Sequence, residues 1–408
     1  MDDRPISYRQ LLRLPNVLAL LSATCLSRLA DRMFAIAIVF HTLAAFGSPA
    51  FAGWIAFAAV APGLLISPLA GTLLDRAGAI RGIVADLALS AAMSLVLAVC
   101  ILAAWATPPT VMVLAVVYAL SSPLSAAGIR VLLPRLVPAT ALDRANALDT
   151  AVHAVVDVAG PSLAGLLVGL SGPITTFVAI AAAYAAATVC VALLRSPSLP
   201  LQPSPGFLRQ ALQGLGFVGG WPVLRGLAIG YALNMVTWGM LWVALPVAVA
   251  RSFPIGTWQS ITGLVWAGVG VAGGIGALVS GQFGMVGREV RGITLCMVAT
   301  AFGVGFAATR SGMPGLVFGL LLAGLMAGPV DVGVLTLRQR RTDPADLGRV
   351  LAVSMSLNLS GFPIGAVLGG ILVAWSPSSA FLAAALASLL GAWATIALIP
   401  ANDEGQSR

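Results

Sequence analysis

Charge is confined to narrow strips of this chain, and that spacing constrains its fold more than any other feature. Between residues 17 and 399 lie twelve apolar stretches, bounded by short clusters of Arg, Pro, Gly and Asp. A helix crossing a bilayer needs about 20 apolar residues. Lipid offers no partner to a backbone N–H or C=O, so each stretch must satisfy its own groups as a helix. The expected spans are 17–45, 51–74, 82–106, 110–133, 145–170 and 173–194, then 223–250, 258–283, 292–309, 314–337, 350–374 and 377–399. The fold class is therefore an all-α polytopic membrane protein with twelve transmembrane helices. Only 9% of the 408 residues are charged, against about 25% in a soluble domain. That excludes a soluble enzyme, a disordered chain and a disulfide scaffold.

Residues 195–222 interrupt the pattern. They open with the Pro/Ser-rich SPSLPLQPSPG and continue as FLRQALQGLGFVGG. The first part reads as a linker and the second as an amphipathic helix on the membrane surface. The expected organisation is a polar tail at 1–16, a six-helix bundle at 17–194, the linker at 195–222, a second bundle at 223–400 and a tail at 401–408. The bundles repeat each other. At an offset of 206, Val17-Leu18 falls on Val223-Leu224, Pro123 on Pro329, Arg135 on Arg341 and Pro138 on Pro344. At 205, Arg144 falls on Arg349, Gly160 on Gly365, Ala164 on Gly369 and Gly165 on Gly370. Two parallel six-helix repeats place a substrate site near the midplane and permit rocking about it.

All 22 basic residues are arginine, and the net charge is +8. They form no basic face of the kind that tracks nucleic acid. With the N-terminus inside, eighteen lie on the cytoplasmic side and only Arg251 and Arg310 outside. The positive-inside rule then places both termini in the cytoplasm of a cell bounded by this inner membrane. Cys25, Cys100, Cys190 and Cys296 each sit in an apolar run without a CxxC partner, as packed free thiols.

Two arginines remain, inside the first helix. Arg28, Asp31 and Arg32 share one face by their spacing. A lipid-facing charge is costly, so the three should face the interior, with Asp31 neutralising one arginine. The alternative is a cluster that only braces packing. At the 206 offset they map onto Asn234, Thr237 and Trp238, and Trp242 extends that neutral stripe by a turn. Such surfaces suit a large, mostly apolar substrate with one polar end; the tryptophans could equally serve packing or interfacial anchoring. Asp149, His153 and Asp157 recur every four residues in the fifth helix, where His153 and Asp157 could exchange protons. Asp86 and Asp331 read as structural groups near helix ends. The other histidine, His41, is too distant for a metal set, and no metal or cofactor is expected. Gly268, Gly270 and Gly273 spell GxGxxG, but no strand precedes them, so they read as helix-packing glycines.

The segment GTLLDRAGAIR, with Gly71, Leu73, Asp75, Arg76, Gly78 and Arg81, resembles the loop signature of the major facilitator superfamily. RVLLPRLVPATALDRANAL resembles the multidrug and siderophore exporter branch of that superfamily. GPSLAG, with Gly160, Pro161, Ala164 and Gly165, is similar to its antiporter signature, Ala164 replacing one glycine. The resemblance implies a cytoplasmic latch at Asp75 and Arg76, an acidic residue at Asp31, and a monomeric secondary transporter. Its expected partners are a small-molecule substrate, protons and the bilayer. Export of a small amphipathic molecule coupled to proton entry is the leading reading. Uptake of a metabolite or siderophore is the nearest rival, and a non-transporting sensor or scaffold the rival of another class. No nucleophile–base constellation supports an enzyme and no phosphate loop supports ATP-driven transport.

The arginine count makes a topological prediction. In a background with all four cysteines replaced, Pro254→Cys should react with an impermeant maleimide added to intact cells, and Ser204→Cys should not. Labelling of Ser204→Cys from outside would invert the topology.

Overall fold

The computed structural model describes residues 7–67, 74, 78–138, 141–194, 216, 219–283, 288–309, 312–342, 354 and 357–400. The expected surface helix of the linker lies outside these residues, as do Gly71, Asp75 and Arg76. The membrane helices are α1 (Val17–Phe46), α2 (Pro49–Ser67), α3 (Ala79–Leu102), α4 (Pro108–Ser121 continuing as Pro123–Leu136), α5 (142–171), α6 (173–192), α7 (Pro222–Ala250), α8 (Thr257–Phe283), α9 (Glu289–Ala307), α10 (Gly312–Arg340), α11 (Gly361–Trp375) and α12 (Pro377–Leu398).

Among the described residues, eleven helices are long and apolar enough to cross a membrane. One of them, Arg144–Ala192, is 49 residues long, roughly 74 Å at 1.5 Å per residue, more than twice a bilayer core. Gly172 breaks it with φ +83° and ψ 172°, followed by Pro173. Glycine alone takes that conformation without strain. The element is thus two spans joined without a loop, and the described residues then hold twelve crossings.

The described residues fall into two compact units, one from Met1–His41 and Ala58–Phe207, the other from Thr42–Phe57 and Leu208–Arg408. In the first, α3 packs along α5–α6 and along the second half of α4. In the second, α7 packs along α11 and α12, α9 along α10 and α12, and α8 along α10. The outer turns of α1 and the start of α2 thus group with 208–408.

Lipid supplies no hydrophobic drive between helices, so close approach of backbones carries much of the association. An added Cβ at Gly361 would strike the carbonyl of Ala232, at Gly365 that of Val236, and at Gly369 the backbone of Met240. This stripe lays α11 directly on α7. Gly273, Gly276, Gly324 and Gly328 do the same for α8 and α10. Of the GxGxxG string, Gly268 meets the Leu321 side chain and Gly273 the Gly324 carbonyl, both on α10, whereas the nearby Gly274 and Gly281 meet nothing within 4 Å. The first unit uses the repeat-equivalent glycine: Gly160 of α5 sits against the Cβ of Arg32 on α1.

These contacts predict opposite outcomes for one substitution. Gly365→Ala should lower the apparent melting temperature in detergent by the equivalent of about 1–3 kcal/mol. Gly274→Ala should leave it unchanged or raise it slightly, because alanine is the better helix former. Equal melting temperatures for both variants would deny the stripe its packing role.

Candidate functional site

α1 is the ionic helix of the first unit. Arg28 forks onto Asp149 of α5, with Nη1–Oδ1 at 2.8 Å and Nη2–Oδ2 at 3.3 Å. Arg32 donates from Nε to Asp157 Oδ1 at 2.7 Å. These partners correct the expectation that Asp31 neutralises an arginine. α5 offers acids on one face four residues to either side of His153, and the long guanidinium arms reach across. The pairs differ in setting. Side chains of the Arg28 pair are 13% and 21% exposed, those of the Arg32 pair 48% and 49%. Asp157 is therefore an open ion-pair partner, not the deep acid expected next to His153.

Asp31 turns the other way. Its Oδ1 accepts the Tyr118 hydroxyl of α4 at 2.9 Å and the Tyr184 hydroxyl of α6 at 2.5 Å. The two hydroxyls are 2.8 Å apart. Phe34, one turn along α1, stacks on the Tyr118 ring at 3.9 Å. The carboxyl is partly buried, and no hydrogen bond to its Oδ2 is formed among the described residues.

The second unit carries no such charges along α7. Asn234 and Thr237 are buried and tie α7 to α12. Asn234 Oδ1 accepts from Ser388 Oγ at 3.2 Å, and Thr237 Oγ1 donates to the Ala384 carbonyl at 2.9 Å. Asn234 is thus a packing residue, a correction to its expected place on a substrate-facing stripe. Trp238 and Trp242 are half-buried and meet Trp266 of α8, with ring centroids 6.4 and 5.1 Å apart. Phe362 of α11 meets Trp242 edge-on at 5.7 Å.

Lower in this unit, Tyr231 donates to Asp331 at 2.6 Å. The buried Arg338 gives Nη2 to the Asn358 side-chain oxygen at 3.0 Å, once that amide is oriented to suit its neighbours, and its Nε has no partner among the described residues. Glu289 binds Arg340. A cavity of about 380 Å³ near the far end of α7, lined by Leu43, Pro49, Val247, Arg251, Phe253 and Trp258, gathers none of the expected site residues.

Gly78 has φ +86° at the N-cap of α3, a position that suits glycine, and Arg81 follows in the exposed first turn. Gly160, Pro161 and Ala164 are buried in α5. Sequence reasoning missed Tyr118, Tyr184, Trp266 and Phe362. Each comes from another helix, and a single sequence does not say which faces meet.

Twelve apolar spans in two repeats, with ionisable groups paired between helices, are the architecture of a multi-pass membrane transporter of small molecules. The chain belongs to the Major Facilitator Superfamily, whose profile matches residues 20–226 and 227–408. It is 47% identical over 399 residues, 98% of each chain, to an uncharacterized MFS-type transporter, y4rN, of Sinorhizobium fredii. It is 29% identical over 388 residues to the multidrug efflux pump Tap of Mycobacterium bovis, covering 90% of this chain and 89% of Tap. It is also 29% identical over 248 residues to the enterobactin exporter EntS of Escherichia coli, 58% of this chain and 56% of EntS. In fold it resembles the nucleoside transporter NupG (D323A mutant), with a TM-score of 0.75 and 13% identity over 94% of this chain and all of that one.

The unequal exposure of the two ion pairs makes a stability prediction. Arg28→Gln leaves Asp149 unpaired in a mostly buried setting and should cost about 3–5 kcal/mol. Arg32→Gln should cost under about 1 kcal/mol, because its partner is half in the open. Thermal unfolding of the two purified variants side by side checks the order; a larger loss for Arg32→Gln would reverse the assignment.

Proposed function

We propose that the chain is a proton-coupled secondary transporter that exports a small amphipathic molecule, such as a drug, natural product or siderophore, by alternating access. It works in the inner membrane with both termini cytoplasmic, in keeping with the arginine distribution. The observation that carries the proposal is Asp31. It is a carboxyl at the middle of α1, bonded by two tyrosine hydroxyls through one oxygen and, among the described residues, by no arginine. Both neighbouring arginines are engaged by α5. An acid in a low-dielectric site without a bonded cation can take up and return a proton as water access changes. Asp157 is less suited to that task, because Arg32 binds it and half of it stands in the open. His153, between the two ion pairs, is then a tuning neighbour of the arginines and not the coupling group.

The substrate side rests on the tryptophans. Trp238, Trp242 and Trp266 with Phe362 give the second unit a flat, polarisable surface. A large apolar body would lie on it, with few polar groups fixing orientation. With the arginines already paired, an anionic substrate gains no free cation from α1. A neutral or zwitterionic amphipath fits better. The relatives named for multidrug efflux and enterobactin export support the outward direction.

Everted membrane vesicles from cells expressing the protein provide the test, with ethidium, erythromycin and enterobactin as probes. Respiration should drive accumulation of at least one probe, and a protonophore should abolish it. Asp31→Asn should lose the driven accumulation and keep gradient-free exchange of the same probe. Full driven accumulation by Asp31→Asn would remove Asp31 from coupling. Accumulation in intact cells in place of everted vesicles would make the protein an uptake permease.

A further inference from the structure

One buried acid plays no part in the scheme so far. Asp86 lies in α3, 2% exposed, seven residues beyond Ala79. That is about 10 Å into the helix at 1.5 Å per residue. Its Oδ2 accepts the backbone N–H of Ser125 at 2.7 Å, and Oδ1 faces Ser90 Oγ at 3.5 Å. The Ser121 hydroxyl, one turn before Ser125, donates to the Tyr118 carbonyl at 2.9 Å. None of the ion pairs among the described residues involves Asp86.

The local architecture explains part of this. Pro123 has no N–H, so α4 bends there and the Ala119 carbonyl loses its helical partner. Gly63 of α2 packs against that carbonyl, and Asp86 takes the Ser125 N–H. Bridging the bend requires only an acceptor, which asparagine would supply without the cost of an ionisable group in hydrocarbon. The carboxyl therefore has a use beyond the bend.

α4 connects the two acids. Tyr118, Ser121 and Ser125 are three and seven residues apart and share a face. Tyr118 bonds Asp31 at one end and Ser125 bonds Asp86 at the other. One helix thus holds both acids, seven residues or about 10 Å apart at 1.5 Å per residue. Ser90 of its own helix and the Ser125 backbone of α4 bond Asp86, and the titratable groups held along the same helix are Tyr118 and, bonded to it, Asp31 of α1. Tyr118 of α4 and Tyr184 of α6 bond Asp31, while Arg28 and Arg32 of its own helix are held by Asp149 and Asp157 of α5.

We propose that Asp86 is a second proton-binding site that titrates as a coupled pair with Asp31 across the polar face of α4. The proposal rests on the reading of Asp31 as a proton carrier. Two like charges in one low-dielectric region oppose each other, so ionising one acid holds the proton on the other. The pair keeps one proton in preference to none, at either of two depths: the middle of α1 or the first third of α3. Each site takes its proton from water and returns it to water.

Infrared difference spectroscopy of the purified protein, titrated with buffer alone, tests this without a transported substrate. The C=O stretch of each protonated carboxyl is the readout. Asp31→Asn and Asp86→Asn should remove different bands. In each variant the surviving band should shift its midpoint by about one pH unit, the size expected of a coupled pair. Tyr118→Phe keeps the ring and should retain both bands with altered midpoints. Should Asp86→Asn not fold, Asp86→Glu keeps a carboxyl and should move the second band in frequency. If the Asp86 variants match the wild type at every pH, or if the surviving midpoints stay fixed, the pair does not exist. Loss of a band only in Asp31→Asn spares the proton-carrier reading of Asp31 and overturns the pair. No band at Asp31 overturns both.

Discussion

An arginine at the centre of a membrane helix costs about 2.5–3.5 kcal/mol on insertion scales, and α1 carries two of them one turn apart. That cost has only one inexpensive remedy, a carboxylate on a neighbouring helix. It fixes which face of α5 must lie beside α1, because only that face offers Asp149 and Asp157. Gly160 lets the backbones come close enough for the short aspartates to be reached. With its arginines occupied, α1 is free to turn Asp31 towards α4 and α6. The tyrosines there bond the acid without neutralising it. The position of one chemically active group thus follows from the need to satisfy two inactive ones.

The repeat shows what each half keeps and what it changes. Gly160 in α5 and Gly365 in α11 occupy equivalent positions, and each sets the fifth helix of its repeat against the first. The contacts differ: Gly160 meets the stem of Arg32 and Gly365 meets the Val236 carbonyl. Packing glycines therefore survive in register while the chemistry of the first helix diverges, from Arg28, Asp31 and Arg32 to Asn234, Thr237 and Trp238. The first helix of one repeat carries ions and that of the other carries indole rings.

Spans were legible because lipid enforces them residue by residue. The start of α1 and the extents of α7, α8 and α12 follow the apolar runs within a residue. α3 begins earlier than the hydropathy suggests, at Ala79, because Gly78 turns the chain and Arg81 can sit in the exposed first turn. The join of α5 and α6 was visible as Gly172-Pro173. Pairings were much less legible. Spacing placed Arg28, Asp31 and Arg32 on one face, but a face is broad enough for neighbours to choose different helices. Asn234 looked like a polar group for a substrate until α12 was seen to supply Ser388. Tyr118 and Tyr184 carried no local signal at all. Their role exists only where three helices converge.

The grouping of residues 42–57 with the second unit has a consequence for synthesis. Gly53 and Pro49 rest on α11 at Ala366 and Gly370, which the ribosome adds roughly 300 residues later. At about 5–20 residues per second that is a delay of tens of seconds. Throughout that interval the turn between α1 and α2 sits in the translocon or the lipid without its final neighbour. The two halves are therefore not separable in time: the nascent chain must hold its earliest hairpin open until one of its last helices arrives.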